Sequence, residues 1–480
     1  MTNYGNAFAN HLQDNIVAIK KAMGDSTDLV IREMTLAHTC NIGLFYLDGM
    51  ADRQTIQESV IAPLLDRVDD PTVSLDVIRM SMLDASDVQS VQSMDQALDK
   101  VLSGSLLLLM EGHAHGLIVA LPGWEDRSIV ESKTQPVVRG PGDSFIETLR
   151  TNTTLVRRRV KDVRLRVCTI TIGSESKTDV AFMYLEGVAK EDLVRDLKQR
   201  LEKARVNQVL EGEYLEEILQ EKKRLTIFPL LYNTDRPDTI AAGIMEGRVA
   251  ILTDGTPFVL LAPTMFVDFI QSAEDYYQPY VFSSLIRLLR YAAFAICMLA
   301  PSLYIALTTY HQDMIPTQLL LSLTAQREGV PFPAFVEALL METTFEILRE
   351  AGLRMPRTIG QAVSIVGTIV VGQAAVEANV VSAVMVIVVS ITAISSFAVP
   401  SYAMAIPCRI LRYIFMGLAA TMGVYGITIG ILVLITHLCR LDSFGVPYMS
   451  PVSPYRKKER KDAVLRFPYR SALRKRSGAK

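Results

Sequence analysis

The sequence predicts a two-part protein, a soluble α/β region followed by an α-helical multi-span membrane domain. Three observations carry this. Half of the 480 residues are hydrophobic, and they gather in long uncharged runs in the second half of the chain rather than spreading evenly. The first half is charged and alternates short apolar strands with helix-like segments, the pattern of an α/β domain. Between Arg357 and Pro407 a stretch rich in Val, Ile and Ala carries one charge, Glu377, and only a bilayer accommodates so apolar a run.

Residues 1–35 are expected to form a helical segment, with Ile16-Val17-Ala18-Ile19 on one face. A first α/β subdomain, 36–136, follows. It has a strand at 42–47, a helix from about Asp52, a helix near 94–102, and a hairpin of strands 106–110 and 116–121 around Glu111-Gly112-His113. A linker and helix occupy 137–164, and a second subdomain 165–280. The phrase Phe45-Tyr46-Leu47-Asp48-Gly49-Met50-Ala51 returns as Met183-Tyr184-Leu185-Glu186-Gly187-Val188-Ala189, and the Gly104–Gly112 hairpin segment returns at 247–255. Two landmarks in the same order predict that the subdomains are related copies, although strand–Gly–helix and Gly-turn hairpins also coincide by chance.

The membrane domain, 281–440, is expected to contain about four spans, at 291–310, 359–376, 380–399 and 413–437. Between the first two lies an amphipathic helix, 331–352, with Glu342, Glu346, Arg349 and Glu350 on one side and Glu337 apart from them. Such a helix is expected in the membrane interface or along a wet cavity. The tail, 441–480, is basic from Arg456 onward, which puts the C-terminus in the cytoplasm by the positive-inside bias. An even number of spans puts the N-terminus there too. Arg409 and Arg412 fall on the wrong side of a strict four-span arrangement. Met1–Asn15 has no apolar signal core, so the later spans are expected to direct insertion. The five cysteines share no metal-type spacing and suit a reducing compartment.

No nucleotide-loop, serine-hydrolase or zinc-protease motif is present, so no catalytic, cofactor-binding or metal-ligating residue is assigned and no nucleic-acid partner is expected. His113 and His115 stand at a hairpin turn without Cys or carboxylate support. Arg139-Gly140-Pro141-Gly142-Asp143 fits a tight inter-domain turn better than an anion cradle. Arg157-Arg158-Arg159 suits a solvated helix face or a lipid-headgroup contact equally.

The more informative stretch is 359–379. At helical spacing Gln361, Ser364, Thr368, Gly372, Ala375 and Asn379 share one face, a small and polar stripe that suits close helix packing or the lining of an ion path. The carboxylates Glu337, Glu342, Glu346 and Glu377 are candidates for function because ionisable groups in apolar surroundings are expensive to keep there.

Several long phrases resemble the A subunits of spore germinant receptors, the GerA family. They include Pro331-Phe332-Pro333, Glu337-Ala338-Leu339-Leu340-Met341-Glu342, Gly372-Gln373-Ala374-Ala375-Val376-Glu377-Ala378-Asn379, Glu274-Asp275-Tyr276-Tyr277 and Ser443-Phe444-Gly445-Val446-Pro447-Tyr448. The resemblance implies a multi-pass protein of the spore inner membrane. It also implies a transporter-like B subunit that binds the nutrient, a lipoprotein C subunit, assembly into a homo-oligomer, and contact with membrane lipid. A signalling or channel subunit is the expected class. A secondary transporter of the nutrient or an ion is the alternative, and inverted repeats of broken spans would mark it.

Overall fold

A computed structural model describes residues 7–36, 40–66, 74–83, 87–123, 131–132, 134–220, 226–356, 372–454 and 462–468. The chain divides into two compact units: Met1–Arg224 with Leu231–Pro263, and Leu225–Leu230 with Thr264–Lys480.

The first unit holds two five-stranded sheets built to one plan. The first is made of β1 (Leu29–Leu36), β2 (Cys40–Leu47), β3 (Val88–Val91), β4 (Ser105–Met110) and β5 (Gly116–Ala120), in the order β1-β2-β4-β5-β3. The second is made of β6 (Leu165–Ile172), β7 (Thr178–Leu185), β8 (Tyr232–Thr234), β9 (Val249–Thr253) and β10 (Val259–Ala262), in the same order, β6-β7-β9-β10-β8. The repeated phrases fall on equivalent places. Gly49 and Gly187 follow the second strand of each sheet at φ 82° and 76°, and Gly104 and Gly247 precede the third at 92° and 95°. A residue with a Cβ is strained there, which is why these glycines recur in both copies.

The strand ladders are antiparallel throughout the described residues. Turns with a glycine at positive φ, Gly112, Gly173 and Gly255, close the β4–β5, β6–β7 and β9–β10 hairpins, while helical segments carry the chain from β2 through β3 to β4 and from β7 through β8 to β9. Contrary to expectation, residues 1–35 are not helical throughout. Helix α1 (Leu12–Met23) stops at Gly24 in the left-handed conformation, and β1 pairs with β2 from Leu29↔Leu47 to Leu36↔Cys40. Arg32 and Glu33 disguised this strand, and an edge strand tolerates such charges.

The first sheet is covered on both faces. Phe45, Leu107, Leu109 and Ile118 pack with α1 and with α2 (Met94–Val101). Ile42, Leu44, Leu106 and Leu108 pack with Ile56, Val60, Leu64 and Ile78 of the helical stretches on the other side. Double coverage explains why β4 reads as an unbroken apolar run rather than an alternation.

Arginines connect the two sheets. Helix α3 (Leu149–Arg159) carries Arg157, 1% exposed, whose Nε donates to Asp28 Oδ2 at 2.8 Å and whose Nη2 donates to Asp28 Oδ1 and Ser26 Oγ. The Ser26–Asp28 loop is bonded to β6 through Thr27 N–H to Val167 O at 2.9 Å. Arg159 pairs with Asp143 at 2.5 Å. Arg157 and Arg159 of the triple arginine are therefore internal staples, not a solvated or lipid-facing surface. Helix α4 (Glu191–Glu202) follows β7, α5 (Gly212–Leu219) comes next, and α6 (Pro237–Met245) leads into β9.

The second unit is helical: α7 (Tyr280–Thr309), α8 (Thr317–Arg327), α9 (Ala334–Arg354), α10 (Gly372–Glu377), α11 (Ala383–Phe397) and α12 (Tyr402–Arg440). Among the described residues α7 and α12 are long and apolar enough to cross a membrane, and α11 is apolar but 15 residues long. The expected span 359–376 lies outside the described residues up to Gly372. The expected span 413–437 is interrupted. Gly423 has φ 60° and ψ −139°, and the chain reverses there. A Cβ on Gly430 would come within 2.6 Å of the Phe415 ring, and one on Gly426 within 2.3 Å of Leu418 O, contacts possible only if 402–422 and 424–440 are antiparallel arms. Each arm is close to the roughly 20 residues that a bilayer crossing needs.

Two outcomes follow. Gly423→Ala places a Cβ 2.7 Å from His311 Cε1 at a positive φ, whereas Gly417 has open space around it. Gly423→Ala is expected to cost about 1–3 kcal/mol and lower the melting temperature in detergent, with Gly417→Ala neutral or slightly stabilising. Burial, and then Glu213 and Glu211, push the Glu216 carboxyl up to about 8 from an ordinary 4.5. Because the folded value lies above the unfolded one, the stability linked to this group is complete below the unfolded value and is lost as pH rises through about 8. Glu216→Gln is expected to raise the melting temperature of the first unit's transition at pH 8 and to flatten its decline from pH 5.

Candidate functional site

Helix α9 carries three of the candidate carboxylates, and each finds an arginine. Glu337 is fully buried, with Oε1 3.2 Å from Arg327 Nη2 of α8. Its Oε2 accepts the Ser382 N–H at 3.0 Å, at the start of α11, where exposed backbone N–H groups favour a negative charge. Ser382 Oγ lies 3.5 Å from the Tyr304 hydroxyl of α7. About one turn further along α9, Glu342, 1% exposed, pairs with Arg412 of the first α12 arm. Arg412 also donates from Nε to Cys297 O at 2.9 Å and from Nη2 to Cys297 Sγ at 3.1 Å. Glu346 accepts Arg409 Nη1 at 2.6 Å and pairs with Arg349 in its own helix.

On the acidic face of α9, Glu342 and Glu346 meet Arg412 and Arg409, whereas Glu350 is exposed and pairs with Arg354 of its own helix. Arg409 and Arg412, misplaced in a strict four-span arrangement, are thus the partners of Glu346 and Glu342. A buried ion is costly unless paired and hydrogen-bonded, and Glu342 Oε1, Arg409 Nε and Arg327 Nε remain buried without a hydrogen-bond partner. The network ties α8, α9, α11 and α12 together without being saturated.

The remaining candidates do not join it. Glu377 is exposed and accepts Gln373 Nε2 at 2.8 Å within its own helix. Of the small and polar stripe, Gln361, Ser364 and Thr368 lie outside the described residues. Gly372 is buried, with Val386 3.6 Å from where its Cβ would be. Ala375 is half-buried, and Asn379 is exposed beside Gly329. His113 and His115 lie edge to face at 5.7 Å, and no group of three or more metal-capable side chains occurs among the described residues. Sequence reasoning missed the arginine half of the network and the contact with Cys297. The available signal was Arg409 and Arg412 within an otherwise apolar segment, opposite in sign to the carboxylates of α9.

Two antiparallel sheets, joined in one chain to two helices long and apolar enough to cross a membrane, suggest a membrane-associated protein. The chain belongs to the Bacillus/Clostridium GerA spore germination protein family, which matches it over residues 17–477. Spore germination protein KA of Bacillus subtilis (strain 168) is 47% identical over 461 residues, covering 95% of this chain and 85% of that protein. The uncharacterized membrane protein YfkQ of the same organism is 41% identical over 465 residues, covering 97% of this chain and 90% of its own length. The crystal structure of the N-terminal domain of the A subunit of the Bacillus megaterium spore germinant receptor GerK3 aligns with 54% of this chain and 97% of that domain, at 31% identity and a TM-score of 0.42. Family membership supports a role in spore germination, and α7 and α12 suggest membrane association.

Removing one partner of the Glu342–Arg412 pair leaves the other charge buried and alone. Glu342→Leu and Arg412→Leu are each expected to destabilise the detergent-purified protein by about 3–5 kcal/mol, and the double variant by clearly less than their sum. Additive losses in thermal unfolding of the full cycle would show that the two side chains are not coupled.

Proposed function

We propose that this chain is the A subunit of a nutrient-responsive germinant receptor, converting germinant binding by a B subunit into the start of germination. The observation that carries the reading is the α9 network. Paired charges buried among several helices, with Glu342 Oε1, Arg409 Nε and Arg327 Nε left without hydrogen-bond partners, support a subunit whose helices shift when a partner binds its ligand. The similarity to spore germination protein KA supplies the biological setting.

In this proposal the protein resides in the spore inner membrane with both termini on the core side, alongside B and lipoprotein C subunits and membrane lipid. Copies of the chain meet through 359–379, whose stripe faces an ion-conducting path or its own copies. A secondary transporter is the competing class. The repeated plan of this chain lies in its sheets, whereas that class repeats its spans.

Replacing Thr368 or Gly372 with bulkier side chains is expected to slow potassium release and germination in spores with normal receptor levels. Unchanged release along the whole series, extended to Gln361, Ser364, Ala375 and Asn379, removes the pore assignment. Uptake of labelled nutrient by this chain alone replaces the receptor reading with the transporter one.

A further inference from the structure

The start of α7 holds a second charge cluster, unconnected in the proposal above. Arg287 is fully buried and its Nε donates to Asp275 Oδ2 at 3.0 Å. Arg290 uses the other oxygen of the same carboxylate, Asp275 Oδ1, at 2.8 Å. Two guanidiniums thus share one buried carboxylate, and the balancing charge comes from far along the chain. Asp462 Oδ1 accepts Arg287 Nη1 at 3.0 Å, and its backbone carbonyl accepts the same nitrogen at 2.6 Å.

A short strap continues from it. Asp462 O also accepts Gln271 Nε2 at 2.7 Å, and Asp462 Oδ2 accepts the Tyr276 hydroxyl at 2.6 Å. Ala463 O accepts the Tyr291 hydroxyl at 3.2 Å. Arg466 donates its backbone N–H to Ser284 Oγ at 3.0 Å and its Nη1 to Gln278 O at 2.6 Å, with its guanidinium 5.2 Å from the centre of the Tyr276 ring.

We infer that residues 462–466 are a charge-keyed latch. They dock on the first turns of α7 because Asp462 neutralises the Arg287–Arg290–Asp275 cluster, and their attachment sets the responsiveness of the helical unit. With Asp462 in place the two positive and two negative groups balance. Without it, a buried arginine pair faces a single carboxylate, an unfavourable state in a region of low dielectric. The latch is nonetheless built to come off. The Asp462 side chain is 48% exposed, whereas Arg287 and Asp275 are not, so water reaches the strap side of the pair first. Besides the stacking of Arg466 on Tyr276 and the buried Ala463, its other contacts are hydrogen bonds of groups that water also satisfies. The strap lies between two basic runs of sequence, which include Arg456, Lys457, Lys458, Arg460 and Lys461 before it and Arg474, Lys475 and Arg476 after it.

The test uses the full-length protein in detergent and tryptic cleavage after Arg466, followed by mass spectrometry. Asp462→Asn is expected to speed that cleavage about tenfold, the consequence of losing one charge-assisted bond, with Asp462→Glu recovering part of the protection and Ser284→Ala changing it little. Equal rates for wild type and Asp462→Asn, or an equal effect of Ser284→Ala, overturn the charge-keyed docking. In spores with matched receptor levels, Asp462→Asn is expected to shift the nutrient concentration for half-maximal germination about threefold or more. An unshifted response in a variant whose strap is released overturns the regulatory role. The germination arm rests on the receptor reading, whereas the cleavage arm does not, so the two fail separately.

Discussion

Burying a charge in an apolar helical unit is the constraint on which the second half of this protein depends. Helix α9 brings three carboxylates into that unit, and each dictates the position of something else: Arg327 on α8, Arg412 and Arg409 on α12, and the first N–H of α11. Glu337 reaches the level of Tyr304 and Glu342 the level of Cys297, so α9 descends as α7 ascends. The face of α9 that carries Glu337 and Glu342 is buried with Ala334 and Ala338, and its register there is set by ion pairs whose loss leaves a charge buried alone.

The first unit solves a different problem. A five-stranded sheet with both faces apolar needs two helical covers, and each cover requires the chain to leave the sheet and return at a fixed place. Glycines at positive φ make those exits and returns, at Gly49 and Gly104 in one sheet and at Gly187 and Gly247 in the other. The same arginine chemistry recurs between the sheets, where Arg157 holds the Ser26–Asp28 loop and that loop is bonded to β6. Buried guanidiniums thus fix inter-element geometry in the first unit and inter-helix geometry in the second.

Much of the first unit was legible because its signals are local. Strands β2 and β4 and the glycine turns repeat as phrases, and the repeat predicted one plan for both sheets before any strand order was known. What was not legible is non-local. β1 is a strand because Leu29 faces Leu47, and its own composition, broken by Arg32 and Glu33, gives only a weak signal. Arg157 looked solvent-facing because three arginines in a row usually are, and only the placement of Asp28 makes it internal.

The same distinction bears on α9, whose ion pairs hydropathy does not see. A window average charges every Glu the full penalty of transfer from water, which sends a helix with Glu337, Glu342 and Glu346 to the interface. The penalty belongs to an unpaired ion, however, and the arginines that offset it lie outside that window, Arg327 before it and Arg409 and Arg412 far along the chain after it. At 413–437 hydropathy reads an unbroken apolar run as one span, although Gly423 turns the chain back on itself. Hydropathy measures the solvent a segment prefers. It carries no information on whether an opposite charge waits at the right height on a neighbouring helix, or whether one residue in an apolar run adopts a backbone conformation that ends the helix.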